Sequence, residues 1–154
     1  MGARCVVVVE SAFSVSRHQL PTAGVTRQVH LEGTMAGVVS KSFDSPDERR
    51  TPDKTDVSVV DLGSVKAARM TLQPGWRWSE CIKPIAGTDS CQVHHEGMLV
   101  TGHMHVRHDD VTELDIGPGD AYVIEPGHDA WVVGSDAVVG YEFDSKAAET
   151  FARS

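Results

Sequence analysis

Six of the eight histidines, His94, His95, His103, His105, His108 and His128, fall within residues 94–128, and Cys91 stands just upstream of them. Imidazole has an ordinary pKa of ~6.5, so it can carry a proton or lend a nitrogen lone pair near neutrality. A thiolate joined to two imidazoles is a good divalent-metal donor set, suited to Zn(II), and to Fe(II) or Cu where geometry allows. His94-His95-Glu96 is no metalloprotease helix, because adjacent residues on a strand point to opposite faces. Cys5, Cys81 and Cys91 contain no C-x-x-C pair, which argues against a disulfide framework or a zinc ribbon and for reduced thiols in a cytoplasm.

The chain that must position these groups has 154 residues, the usual size of one domain. Lys and Arg number 14 against 22 Asp and Glu, so a basic nucleic-acid footprint is absent. The longest unbroken apolar run is Cys5 to Val9, too short for a membrane span or a secretory leader. A soluble, cytoplasmic protein is expected. Residues 1–42 carry a net charge of +2 and residues 43–154 a net −10. The first segment is punctuated by Ser, Thr, Gly and Pro and reads as a disordered or mis-assigned extension, with Met35 an alternative start that an intact mass would decide.

Residues 43–55 read as a polar arm. From residue 56 to 145, short strand-like runs alternate with Gly and Pro turns, the pattern of an all-β sandwich or barrel. The runs include Val57–Leu62, Val65–Leu72, Trp76–Trp78, Cys91–His95, Met98–Thr101, His103–Arg107, Val111–Ile116, Ala121–Ile124, Ala130–Val133 and Ala137–Phe143. Residues 146–154 suggest a short C-terminal helix. Gly117-Pro118-Gly119 precedes a strand, so it is no phosphate loop. Val111 sits where an Asp-Asp-Gly hairpin would supply glycine. A β-branched residue resists positive φ, so a longer or reshaped turn is expected there.

The chain from about Asp56 to Asp144 resembles the cupin superfamily, most strongly over Gly102–Val133 within the run GMLVTGHMHVRHDDVTELDIGPGDAYVIEPGHDAWVV that starts at Gly97. That resemblance implies a double-stranded β-helix (jelly-roll) barrel, commonly dimeric, with one pocket that often holds a divalent metal through two histidines and a glutamate from a first motif and a histidine from a second. The first motif, G-x5-H-x-H-x3/4-E-x6-G, fits in two registers. Ending it on Gly117 gives Gly97, His103, His105 and Asp110, a nearly literal match. It leaves one residue before Gly119, which opens the second motif, where cupins place a hairpin. Ending it on Gly102 leaves sixteen residues, 103–118, enough for that hairpin. In this favoured register Asp89 and Cys91 hold the His-x-His positions and His95 the glutamate position. The second motif maps onto Gly119, Glu125, Gly127, Ala130 and Gly134, with Ala130 where the metal histidine would stand and His128 two residues earlier on the same parity.

Strand alternation then puts Asp89, Cys91, Val93 and His95 on one face, and His103, His105 and Arg107 opposite the apolar Met104 and Val106. The candidate metal ligands are Cys91, His95 and His128, with Asp89 as a possible fourth. The expected ion is one of Zn, Fe, Mn, Ni or Cu, and His95 and His128 are the candidate catalytic groups. Asp129 or Glu125 is expected to hold the second nitrogen of a ligating histidine. The same three residues also allow a metal-free reading, with Cys91 a small buried apolar group and the histidines hydrogen-bonded. The pocket is expected to be lined by Trp76, Trp78, Asp89, Cys91, His95, Met104, His128 and Trp131.

Three functions stay open: a small cupin-like protein binding a small polar or carboxylate ligand, through a divalent metal or without one; a metal-dependent oxygenase, isomerase or hydrolase; and a non-catalytic regulatory or structural dimer with a degenerate pocket. A homodimer is expected, with Val57–Leu62 near its contact.

Overall fold

The computed structural model describes residues 37–143. The extension before residue 37, Met35 included, and the expected C-terminal helix lie outside the described residues. Nine strands and two short helices follow in order: β1 (Glu48–Arg50), β2 (Thr55–Asp61), β3 (Lys66–Leu72), α1 (Trp78–Cys81), α2 (Lys83–Ala86), β4 (His95–Thr101), β5 (His103–His108), β6 (Glu113–Ile116), β7 (Ala121–Ile124), β8 (His128–Val133) and β9 (Val138–Phe143). They form a six-stranded sheet, β1-β2-β3-β9-β4-β7, and a three-stranded sheet, β6-β5-β8. Every ladder is antiparallel. The expected all-β jelly roll is present. Among the described residues no ladder closes β6 onto β7, so these strands form a sandwich open along that seam.

Period-two alternation builds the core. Leu99, Tyr122, Ile124 and Val138 from the larger sheet meet Met104, Val106, Ala130 and Val132 from the smaller one in a single buried cluster. Each such aliphatic side chain contributes on the order of 1.5–3 kcal/mol when fully buried. The chain passes between the sheets at Gly102, where φ is 73° and an added Cβ would lie 2.6 Å from the Ala137 carbonyl oxygen. Only glycine fits there.

Some elements differ from the sequence expectation. Trp76–Trp78 is not a strand: after the Pro74-Gly75 turn only Arg77 is extended, and Trp78 opens α1, with Cys81 N–H donating to Arg77 O at 2.8 Å. Pro84, placed in the first turn of α2, suits a helix start because its missing N–H is not needed there. The polar arm contributes β1, which pairs with β2. Residues Val57–Val59 of β2 are therefore bonded on both edges, to β1 and to β3. Cys91–His95 and Met98–Thr101 are not separate strands either. Strand β4 begins at His95 and runs to Thr101, while Cys91 makes only an isolated bridge with His128.

The β5–β6 turn keeps the short form that Val111 was expected to prevent. Val111 takes φ 71° and is 86% exposed, closed by His108 N–H to Thr112 O at 2.8 Å. The left-handed conformation costs a β-branched residue roughly 1–2 kcal/mol, against the ~0.5–1 kcal/mol that glycine loses in chain entropy. Val111→Gly should therefore stabilise the protein by about 1 kcal/mol and raise its melting temperature by roughly 4 °C. An unchanged or lower melting temperature would refute the strain.

Candidate metal centre

Cys91, His95 and His128 converge although no two of them share a strand. Cys91 is brought to β8 by its backbone, which donates to His128 O at 2.8 Å and accepts from Gly127 N–H at 2.7 Å. His95 opens β4 and points inward with Gly97 and Leu99. His128 opens β8 and points inward with Ala130 and Val132. The ligand atoms of the three side chains all lie within 4.8 Å of one another.

Each histidine is oriented by its second nitrogen. His95 Nδ1 meets both carboxylate oxygens of Glu142, at 3.0 and 3.1 Å, which leaves Nε2 facing Cys91 Sγ at 3.6 Å. His128 Nδ1 lies 2.7 Å from the Glu125 carbonyl oxygen, so it donates there and Nε2 keeps its lone pair. The two rings stand edge to face, 5.3 Å apart. Glu142 is 4% exposed and also accepts the Tyr122 hydroxyl at 3.0 Å. This arrangement supplies the carboxylate and carbonyl supports that ligating imidazoles require.

The supports differ from those the sequence suggested. The Glu125 carboxylate pairs with His94 at 3.0 Å and only its carbonyl serves His128. Asp129 instead bonds Arg77 and Ser79. Glu142 is not among the sequence candidates, yet it carries a signal: it is an acid on the inward parity of β9, in line with buried Val138 and Gly140. Gly97 makes room for it. A Cβ at residue 97 would lie 2.9 Å from Glu142 Cγ and 3.0 Å from the Tyr122 hydroxyl.

Charge follows from this geometry. Burial pushes the Cys91 thiol up, but the His128 and His95 rings beside it, with the positive charge on His95, outweigh it, leaving its pKa lowered to about 6. Burial likewise disfavours the His95 imidazolium, and the Glu142 charge and the Cys91 contact overcome that, raising its pKa to about 10. Burial beside Glu142 holds the Tyr122 phenol in its neutral, donating form. Near neutrality, then, a thiolate, an imidazolium and a carboxylate lie in a row.

The three donors suit a tetrahedral ion. With metal–sulfur and metal–nitrogen bonds of ~2.3 and ~2.0–2.1 Å, adjacent donors stand roughly 3.5 Å apart, close to the Cys91–His95 separation. Beside them is a cavity of ≈ 60 Å³ whose other walls include Leu72, Trp76, Trp78, Ile82 and Met104. The Trp76 indole is 6% exposed and its Nε1–H has no acceptor among the described residues. A larger cleft of ≈ 580 Å³, between β6 and β7, is lined by Val106, Leu114, Val123 and others but by none of the three ligand candidates.

The remaining sequence candidates lie elsewhere. Asp89 is fully exposed and pairs with Lys83 at 3.3 Å; the chain from 88 to 90 is bent rather than extended, so the alternation that put Asp89 beside Cys91 does not reach it. Trp131 is on the outer face of β8, stacked on His105 at 4.4 Å and under Arg77 at 4.4 Å. Its parity is opposite to that of His128, which excludes it from the pocket wall. His103 is exposed, His105 pairs with Asp115 at 2.7 Å, and His108 holds the Pro126 carbonyl at 2.9 Å. His94 lies between Glu96 and Glu125.

No protein-family model matches this chain, and no curated protein matches it in sequence. Solved structures do. A protein of unknown function from Rhizobium leguminosarum bv. viciae is 16% identical with a TM-score of 0.51, over 70% of this chain and 97% of that one. The Cnp3 cupin domain of Schizosaccharomyces pombe is 14% identical with a TM-score of 0.47, over 75% and 80% of the two chains. Oxalate decarboxylase from Lactobacillus farciminis is 17% identical with a TM-score of 0.45, over 62% of this chain and 30% of that one.

Proposed function

We propose that this jelly-roll chain is a small cupin-like protein that holds one divalent metal ion through Cys91, His95 and His128 and binds a small polar or carboxylate ligand beside it. The observation that carries this reading is the convergence of the three donors, both imidazoles already anchored through Nδ1. Thiolate and imidazole donors favour Zn(II), with Fe(II), Cu, Ni or Mn as the alternatives. Three protein ligands would leave such an ion an open position and Lewis acidity for polarising a bound oxygen. The chain's own part is to orient: Glu142 fixes His95, Tyr122 fixes Glu142, and the apolar walls limit access of water.

Elemental analysis of protein purified without an affinity tag tests the metal. We expect about one equivalent, lost in Cys91→Ala, His95→Ala or His128→Ala and retained in the His103→Ala/His105→Ala double variant. Metal-free protein whose Zn(II) uptake is indifferent to the first three substitutions would sink the reading. Loss in the double variant would return the site to the other motif register.

We propose in addition that the protein is a homodimer. Support comes from the outer face of the larger sheet, where Met98, Val123 and Phe143 are 41, 63 and 49% exposed on one side. Light scattering decides between one copy and two. Among the described residues no helix is long and apolar enough to cross a membrane. The free thiols of Cys81 and Cys91 agree with a reducing compartment, and we place the protein in the cytoplasm on that ground.

A further inference from the structure

Two properties of the cavity restrict what could occupy it. The first is size. At ≈ 60 Å³ it is less than half the ~150 Å³ that holds a benzene ring, so it admits about two or three heavy atoms. The second is an unpaired donor carried by a residue of its wall. Buried donors are nearly always paired, and the Nε1–H of Trp76, a residue of this cavity's wall, has no partner among the described residues.

Charge narrows the class further. A divalent ion with one thiolate ligand keeps a net positive charge, which attracts an anion. The buried Glu142 carboxylate in the same wall, fully engaged by His95 and Tyr122, opposes a second negative charge. The rest of the lining is largely apolar, with Leu72, Ile82, Met104 and Ile124 among it, and Thr55 and Trp78 add one hydroxyl and one indole N–H.

Resting on the metal reading above, we infer that the external ligand of this site is a monoanion of two or three heavy atoms, held at the open metal position with Trp76 Nε1–H as its hydrogen-bond donor. Trp76 is on this account a specificity-determining residue. The ligand class narrows from small carboxylates in general to those of formate size and their isosteres.

Cobalt(II) loaded onto the full chain gives a visible spectrum with a thiolate charge-transfer band, and that spectrum reads both steps. Azide, cyanate and formate should shift the visible bands saturably, whereas benzoate and malonate should not at tenfold higher concentration. Trp76→Phe keeps the ring and removes the donor. It should weaken azide about tenfold while leaving the thiolate band in place, as expected for a hydrogen bond to a charged acceptor. A response to benzoate or malonate matching that to azide overturns the inference, as does silence to every anion or an unaltered azide affinity in Trp76→Phe. Should that variant not fold, the wild-type anion series decides alone. Failure of cobalt to bind, or a spectrum indifferent to Cys91→Ser, instead overturns the metal reading and this inference with it.

Discussion

Replacing Glu142 by alanine should destabilise the protein by about 3 kcal/mol and weaken its metal binding by 10- to 100-fold, the largest effect expected of a residue outside the donor set. The carboxylate is 4% exposed and serves two partners at once, His95 Nδ1 at 3.0 Å and the Tyr122 hydroxyl at 3.0 Å. Without it His95 loses the charge that keeps it an imidazolium, and Tyr122 loses its buried acceptor. Releasing the proton would spare His95 part of the cost, which is why the expected figure sits at the low end of the range for a broken buried pair. The imidazole ring would also be free to turn, so Nε2 would no longer be directed at Cys91. Glu142→Gln separates these effects, because its carbonyl oxygen can still accept from one partner. It should retain more stability than alanine and depress the His95 pKa. Urea denaturation and a zinc competition titration measure the two consequences. If Glu142→Ala lies within ~0.5 kcal/mol of wild type and binds zinc equally well, the supporting role is wrong.

The residues of this site were legible to different degrees, and the reasons are physical. His95 and His128 were legible because each belongs to a strand, where alternation tells which face a side chain takes. Cys91 reached the right face by a bridge to His128 rather than by the strand assumed for it, so its placement depends on a long-range contact that no local pattern encodes. Asp89 shows where such reasoning stops: two residues beyond Cys91 the chain bends, and parity has no meaning across a bend. Trp76 and Trp78 do border the cavity, yet through a turn and the first residue of α1, not a shared strand face. Trp131 could have been placed correctly from sequence, since it alternates with His128 and Ala130. Glu142 was hidden by its type. An acid is ordinarily exposed, and only the pairing of β9 with β4, which sets it beside Tyr122 and His95, makes burial tolerable.

Metal affinity should rise tenfold per pH unit between pH 6 and 10 and change more steeply below pH 6. The sign follows from the two shifted groups. Between those values the metal-free site holds Cys91 as thiolate, its pKa lowered to about 6, and His95 as imidazolium, its pKa raised to about 10. A metal must displace the one proton on His95, which gives the tenfold dependence. Below pH 6 Cys91 is protonated too, so these two groups together release two protons, and affinity falls at least a hundredfold per unit. Stability of the metal-free protein behaves differently. The Cys91 contribution is present above its unfolded pKa of ~8.5 and fades as pH falls toward 6. The His95 contribution is present below ~6.5 and fades as pH rises toward 10. Across pH 6.5–8.5 the two slopes are equal and opposite, so these groups leave stability flat there, with a loss on the alkaline side as His95 gives up its proton. A zinc competition series at half-unit steps, with denaturation of the metal-free protein at the same pH values, separates the two curves. Metal retention that does not vary between pH 8 and pH 5 would exclude histidine and thiolate ligation together. An affinity that follows one proton throughout would exclude the Cys91 thiolate alone.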